Sequence, residues 1–535
     1  HLGKSYRSGA DPAVVEFRGE YYMFVTRSWG YWHSKDLLNW DFITPEKWYF
    51  EGCNAPAAHN YKDSVLYVCG NPSGAMSILY TDNPKRGDWK AVPSVLHDLQ
   101  DPALFIDDDE RAYMYWGSSN RWPIRGKELD MKNKFLPIAK KPDSLLFLRP
   151  DIYGWERFGE NHTSDIKPFI EGAWMTKHNG KYYLQYAAPG TQFNVYGDGV
   201  YVGKSPLGPF QYAAHNPFCY KPGGFATGAG HGSTVCGPGG IYWHFGTIHL
   251  SINYKFERRL CMFPTFFDED GVMYSDTYFG DYPHYSPDQV SRQTTSGGFR
   301  GWMLLSYGKP VKASSQLESY PVENVTDENL KTFWVAGKND DKQWVEIDLE
   351  EVSDVYALQL NFFDYEETGF WGRMPNLRQR YLVEASVDGA RWRVLVDYRN
   401  SFRDAPHNYI ELDQPIEARY IRYRHHYVPG KNLAMGDIRV FGLGRGKKPA
   451  TVKGFTVVRE ADERNARISW KSVKGAQGYN VLWGVAPDKL YSSWMVYGDN
   501  SLDLRALTVG QKYYFAIESF NENGISQRVF LREAH

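Results

Sequence analysis

The chain has almost no charge imbalance, few cysteines and no long apolar run. Its 61 Lys and Arg stand against 63 Asp and Glu, a net charge of −2 over 535 residues. A dedicated nucleic-acid binder carries a basic excess, so nucleic acid is not an expected partner. No stretch approaches the ~18 apolar residues of a membrane span, so none is expected. The five cysteines, Cys53, Cys69, Cys219, Cys236 and Cys261, form no CxxC pair and lie in no His-rich spacing. Neither a structural zinc nor an organic cofactor is therefore expected. The odd count leaves at least one thiol unpaired, and the cysteines read as small buried hydrophobes. None lies beyond residue 261, so the C-terminal half needs no oxidising compartment to fold. The chain opens at His1 without a basic-then-apolar leader. The expectation is a secreted, periplasmic or cell-surface protein whose signal peptide has been removed.

What the chain has in excess is aromatic. Phe, Trp and Tyr make up 16% of it, alongside 50 Gly and 29 Pro. That mixture favours short strands and turns over long helices. The first 300 residues repeat one pattern five times. A polar residue and a small residue or Pro lead into a short strand, a turn and a Tyr-rich strand. Asp11-Pro12-Ala13 leads to Tyr21-Tyr22, Asn54-Ala55-Pro56 to Leu66-Tyr67, and Asp101-Pro102-Ala103 to Tyr113-Met114-Tyr115. Glu171-Gly172-Ala173 leads to Tyr182-Tyr183, and His231-Gly232-Ser233 to Tyr242-Trp243. The leading residues lie between 43 and 70 positions apart, a period that indicates a five-bladed β-propeller. The competing reading is a β-sandwich with coincidental hairpins.

Equivalent positions on successive inner strands surround one axis. Asp11, Asp101 and Glu171 are therefore expected to converge, with Asn54 and His231 completing the ring. Each Asp alone reads as a turn residue. Three carboxylates at equivalent places read as acid/base machinery or a metal site, because like charges buried together raise at least one pKa.

These residues resemble those of glycoside hydrolase family 43, a five-bladed propeller family. The resemblance lies in Ala10-Asp11-Pro12-Ala13, Gln100-Asp101-Pro102-Ala103, Ile170-Glu171-Gly172-Ala173, Ser34-Lys35-Asp36-Leu37-Leu38-Asn39-Trp40 and Gly230-His231-Gly232-Ser233. It implies that Asp11 is a general base, that Asp101 tunes and orients, and that Glu171 is the general acid. An inverting glycosidase needs such a pair, ~6.5–9.5 Å apart so that a water fits between. His231 holds the acid network or an axial calcium or sodium ion. Its alternative is a hydrogen-bonded histidine without metal. No cofactor is required. Arg259 matches a family arginine near the pocket, or forms a rim salt bridge. Trp116 and Trp174 line the pocket or pack the blades. Asn54 stands where the family often has Trp, which puts a xylosidase-type preference in doubt.

Residues 301–444 read as a β-sandwich resembling a discoidin (coagulation-factor type C) module, the fold of carbohydrate-binding module family 32. The resemblance rests on Gln343-Trp344-Val345-Glu346-Ile347-Asp348, Ala418-Arg419-Tyr420-Ile421-Arg422 and Asp437-Ile438-Arg439-Val440-Phe441. Its aromatic loop, Phe362-Phe363-Asp364-Tyr365 through Phe370-Trp371-Gly372-Arg373, is expected to stack on sugar, close over the propeller mouth, or pack between domains. Residues 450–535 resemble a fibronectin type III domain, through Ile468-Ser469-Trp470 and Gly478-Tyr479-Asn480-Val481, and are expected to act as a spacer.

The fold expected is all-β: a propeller over residues 1–300 and two sandwiches. The function expected is an exo-acting, inverting glycoside hydrolase on an oligo- or polysaccharide, releasing a pentose, with α-L-arabinofuranose the first choice. β-Xylosidase, β-galactofuranosidase and β-galactosidase are the alternatives within the family. A non-catalytic glycan-binding protein is the alternative outside it. An invertase-like propeller would need Asn-Asp-Pro-Asn-Gly where the chain reads Ala10-Asp11-Pro12-Ala13-Val14.

Overall fold

A computed structural model of the chain describes residues 8–47, 53–71, 76–96, 99–139, 141–252, 254–290, 298–366 and 377–532. Among these residues the chain is built from strands and short 3-10 turns. No helix among them is long and apolar enough to cross a membrane.

The five repeats form five antiparallel sheets, each running outward in chain order. The first holds Ala13–Phe17, Glu20–Phe24, Tyr31–Ser34 and Asp41–Ile43. The innermost strands of the others are Asn54–Tyr61, Ala103–Ile106, Glu171–His178 and Gly230–Cys236. Each innermost strand lies beside the next, and the fifth returns to the first, which closes the ring. Ser233 fastens that closure. Its hydroxyl donates to the Pro12 carbonyl at 2.7 Å and accepts from the Val14 amide at 2.8 Å. Three inner hairpins turn on two residues of positive φ: Arg18-Gly19, Lys62-Asp63 and Asn179-Gly180. That geometry matches the right-handed twist of the flanking strands.

The repeat register differs from the expected one in two blades. The residue that swings each inner strand into the axis has positive φ, and these residues are Asp11, Ala55, Asp101, Gly172 and His231. Asn54 and Glu171 therefore sit one place earlier than Asp11 and Asp101. A bulge lies at each of those two openings, and another at Gly230 in the fifth blade. Gly172 has no alternative, because a Cβ there would stand 2.8 Å from Cγ of His231.

The second unit is an eight-stranded assembly running from Met303–Leu304 to Ala434–Leu443. Two long strands, Trp344–Phe362 and His407–Tyr427, cross it. Trp334, Ile347, Leu360, Tyr423 and Val440 fill its core. The third unit packs a three-stranded sheet on a five-stranded one, with Trp470 and Tyr479 buried between them.

All three units share a buried junction. Arg439 of the second unit is 1% exposed and bonds both oxygens of Glu328, at 2.6 and 2.9 Å. It also donates to the Asp281 carbonyl of the propeller segment at 2.6 Å. Lys221 pairs with the Asp281 carboxylate at 3.0 Å, and Tyr282 bonds Tyr497 of the third unit at 2.7 Å. The third unit is not an extended spacer. Tyr491 stacks on Tyr274 at 3.7 Å, Lys489 reaches Asp268 at 2.7 Å, and the Val509 amide donates to the Ile152 carbonyl at 2.9 Å.

Candidate active site

The five inner strands deliver their first residues to one end of the axis. Asp11 is 6% exposed there. Its Oδ2 accepts from the Thr26 hydroxyl at 2.6 Å, and its amide donates to Thr247 Oγ1 at 3.0 Å. Its Oδ1 faces Nδ1 of His231 at 3.3 Å and a guanidinium nitrogen of Arg258 at 3.5 Å. Burial works to raise the Asp11 pKa. Arg258, His231 and the Thr26 hydroxyl outweigh it and hold the carboxyl below its ordinary range. These neighbours favour the charged form of Asp11.

Asp101 lies across the axis, with Oδ2 3.8 Å from Nδ1 of His231. Asp101, Glu171 and His231 each place a ligand atom within 4.8 Å of the others. Burial pushes the Asp101 carboxyl up to about 7. His231 opposes that rise, while the Glu171 and Asp11 charges add to it. The cluster therefore keeps a proton near neutrality. Burial disfavours charge on His231, but Asp11, Asp101 and Glu171 together raise its pKa above the usual value.

Glu171 is held at both oxygens. Tyr196 donates to Oε1 at 2.7 Å and Ser118 to Oε2 at 3.0 Å. Ser118 also lies close enough to Asp101 to work against the rise of its carboxyl. Tyr196 is itself wedged against Gly230, where a Cβ would stand 2.7 Å from its ring. Behind His231 the fully buried Asp198 accepts from the amides of His231 and Gly232, at 2.8 and 3.0 Å, and pairs with His244 at 3.0 Å. This fixes the strained backbone of His231.

Asp11, Asp101, Glu171 and His231 thus meet at one mouth. Asn54 sits beside them on the neighbouring strand, its side-chain oxygen accepting from Arg27 at 3.0 Å. Trp116 and Trp174 are half-buried against the propeller core. The arginine that reaches the cluster is Arg258 and not Arg259. Adjacent residues on a strand point to opposite faces, and Arg259 turns to Glu257 and to His407 of the second unit. Thr26, Ser118, Tyr196, Asp198, Thr247 and Arg258 are further site residues. They lie on second and third strands and connections, where the repeat carries no polar signature.

Two carboxylates and an imidazole are within reach of one cation. Calcium seeks six to eight oxygens, and Nδ1 of His231 already faces Asp11 and Asp101. The residues present do not by themselves form a calcium cage.

The aromatic loop of the second unit packs inward where it is described. Phe363 stacks on Phe333 at 3.9 Å, in a cluster that includes Tyr365 and Ile252 of the propeller. Phe370, Trp371, Gly372 and Arg373 lie outside the described residues.

Residues 6–273 match the family described as Glycosyl hydrolases family 43, and residues 310–435 match the F5/8 type C domain. The first match covers half the chain, which therefore belongs to glycosyl hydrolase family 43. A β-xylosidase of Xylanibacter ruminicola is 33% identical over 202 residues, which are 34% of this chain and 57% of the relative. An arabinoxylan arabinofuranohydrolase of Bacillus subtilis (strain 168) is 30% identical over 189 residues, 31% of this chain and 34% of the relative. The chain thus spans 34% to 57% of the length of these relatives. A crystal structure of a thermostable family-43 glycoside hydrolase is 21% identical, with a TM-score of 0.45 over 53% of this chain and 97% of that one.

Proposed function

We propose that the chain is an exo-acting glycoside hydrolase that works by inversion. The observation that carries this reading is the asymmetry of the cluster. Asp11 faces Arg258 and His231, which favour its charged form, while Glu171 is held by the neutral hydroxyls of Tyr196 and Ser118. A lectin has no use for that separation; a glycosidase needs one carboxylate as base and one carboxylic acid. In the proposed step Asp11 takes a proton from a water as its oxygen attacks the anomeric carbon. The bond from that carbon to the leaving oxygen breaks, and the leaving oxygen takes the proton of Glu171. Tyr196 and Ser118 fix the acid. No covalent intermediate forms, so the anomeric configuration inverts.

The released sugar is proposed to be a pentose, with α-L-arabinofuranose first and β-xylose second. The names of the two relatives support a pentose, and the small Asn54 in place of an aromatic supports the furanose. A plant polysaccharide side chain is the proposed substrate, and a polymer that cannot enter a cell argues for action outside it. The C-terminal unit is proposed to be fibronectin type III-like, supported by its three- and five-stranded sheets.

The test is turnover of nitrophenyl α-L-arabinofuranoside, β-D-xyloside, β-D-galactofuranoside and β-D-galactoside. Hydrolysis of one of them, abolished in an Asp11→Asn variant, is expected. Saturable binding of oligosaccharides without turnover of any glycoside would give the chain to the glycan-binding class.

A further inference from the structure

The residues flanking Glu171 carry an apolar rim that the proposed chemistry leaves unused. The connection between the second and third strands of blade three runs from Gly117 to Pro123 at the mouth. It is pinned at three points. The Gly117 amide donates to the Gln100 carbonyl at 2.8 Å, next to Asp101. Ser119 and Ile170 exchange both backbone hydrogen bonds at 3.0 Å, next to Glu171. The Ser119 hydroxyl oxygen accepts from the amides of Arg121 and Trp122, at 3.0 and 3.1 Å.

From this fixed loop Trp122 stands out 62% exposed. The Arg125 guanidinium lies over its ring at 5.3 Å, which supports one face and leaves the other to solvent. Phe169 and Ile166, on the segment leading into Glu171, are 36% and 61% exposed. An indole this exposed gives up most of the stability that burial would bring. A rigid loop that nonetheless holds it out presents a flat ring for something to lie on.

We propose that Trp122 is the stacking platform for the first sugar on the leaving-group side of the scissile bond. The inference rests on the reading of Glu171 as the acid. An acid must stand beside the oxygen that departs, so the remainder of the oligosaccharide leaves past Ser118 and Ser119. The ring that meets it there is Trp122. Pyranose and furanose rings present C–H faces that suit an indole, and a pinned loop loses little entropy on binding. Trp122 is a specificity-determining residue in this scheme and takes no part in proton transfer.

The experiment compares wild type with Trp122→Ala and Trp122→Phe. The substrates are α-1,5-arabinotriose, xylotriose and β-galactotriose, and the matching glycosyl fluorides. A fluoride has one leaving atom and reaches no rim. Trp122→Ala is expected to lose roughly tenfold in kcat/KM on the trisaccharide that wild type cleaves, mostly through KM, and to keep its rate on the fluoride. Trp122→Phe should recover most of the loss. Equal loss on both substrates, or no loss on the trisaccharide, overturns the proposal. Calorimetry with the same trisaccharides in a Glu171→Gln background separates it from the catalytic reading. There Kd should rise about tenfold when Trp122 is also removed. An unchanged Kd overturns the platform whatever the enzyme turns over.

Discussion

Ser118 donates its hydroxyl to Oε2 of Glu171 at 3.0 Å, and the same side chain lies close enough to Asp101 to oppose the rise of that carboxyl. In the proposed step Ser118 thus holds the carboxyl that delivers the proton. Ser118→Ala should slow turnover of a glycoside with a poor leaving group by roughly tenfold, the size of a lost hydrogen bond to a charged group. Turnover of an activated aryl glycoside should change little. Steady-state rates on the two substrates check this. Equal losses on both would show that Ser118 only holds the loop.

Asp11 and Glu171 are expected to fail differently. Glu171→Gln should abolish turnover of substrates whose leaving oxygen needs a proton, and should spare activated aryl glycosides, whose leaving group departs almost unaided. Asp11→Asn should damage both, because water must be activated in either case. Proton NMR in the first minutes of reaction should show inversion at the anomeric carbon. Retention would mean that the paired carboxylates work at ~5–5.5 Å and that one is a nucleophile. The reading of Asp11 as a base would then fall.

Arg258 and Arg259 offer a comparison within one strand. Arg258→Ala removes the guanidinium beside Asp11 and should raise the pH at which the acidic limb of kcat/KM is half-complete, because the Asp11 pKa is depressed by that charge. Arg259→Ala should leave that limb in place, since the side chain turns to Glu257 and His407. Paired pH–rate profiles decide between them. A shift in the Arg259 variant alone would reverse the assignment.

How far the site was legible depended on which strand a residue occupied. Asp11, Asp101, Glu171 and His231 open inner strands, and the repeat marks every opening, so their convergence could be read from spacing alone. Ser118, Tyr196 and Asp198 sit where the repeat leaves polar identity free, and only the closed ring brings them to the axis. The Arg258-Arg259 pair shows the limit of a motif: one residue of register exchanges the two faces of a strand. The same one-residue offset places Asn54 and Glu171 ahead of Asp11 and Asp101, and a bulge cannot be seen in a hydrophobic pattern. The docking of the third unit was hidden for another reason. Its contacts, such as Tyr274 on Tyr491, pair residues far apart in sequence whose types are ordinary for any strand.

The junction of the three units should be the part of the fold least tolerant of losing a charge. Arg439→Ala leaves Glu328 buried and unpaired, a change that costs about 3–5 kcal/mol. A charge-reversing exchange of the exposed pair Arg467 and Asp503 should cost well under 1 kcal/mol. Urea unfolding curves of the variants measure both. A similar small cost at Arg439 would show that water enters the junction when the side chain is shortened.

The last expectation concerns pH and Asp101. Burial and the Glu171 and Asp11 charges raise its carboxyl to about 7, from an ordinary 3.8. A carboxyl raised on folding contributes most below its unfolded pKa, and that contribution is lost as pH climbs through the folded value. Wild type should therefore lose stability between about pH 4 and 7, by on the order of a few kcal/mol, as Asp101 ionises in place. Asp101→Asn has no such proton to lose and should show a flatter profile across the same window. Denaturant titrations of the two proteins at pH 5 and 8 test this. An equal loss of stability in both would show that Asp101 is not the group that ionises in that window.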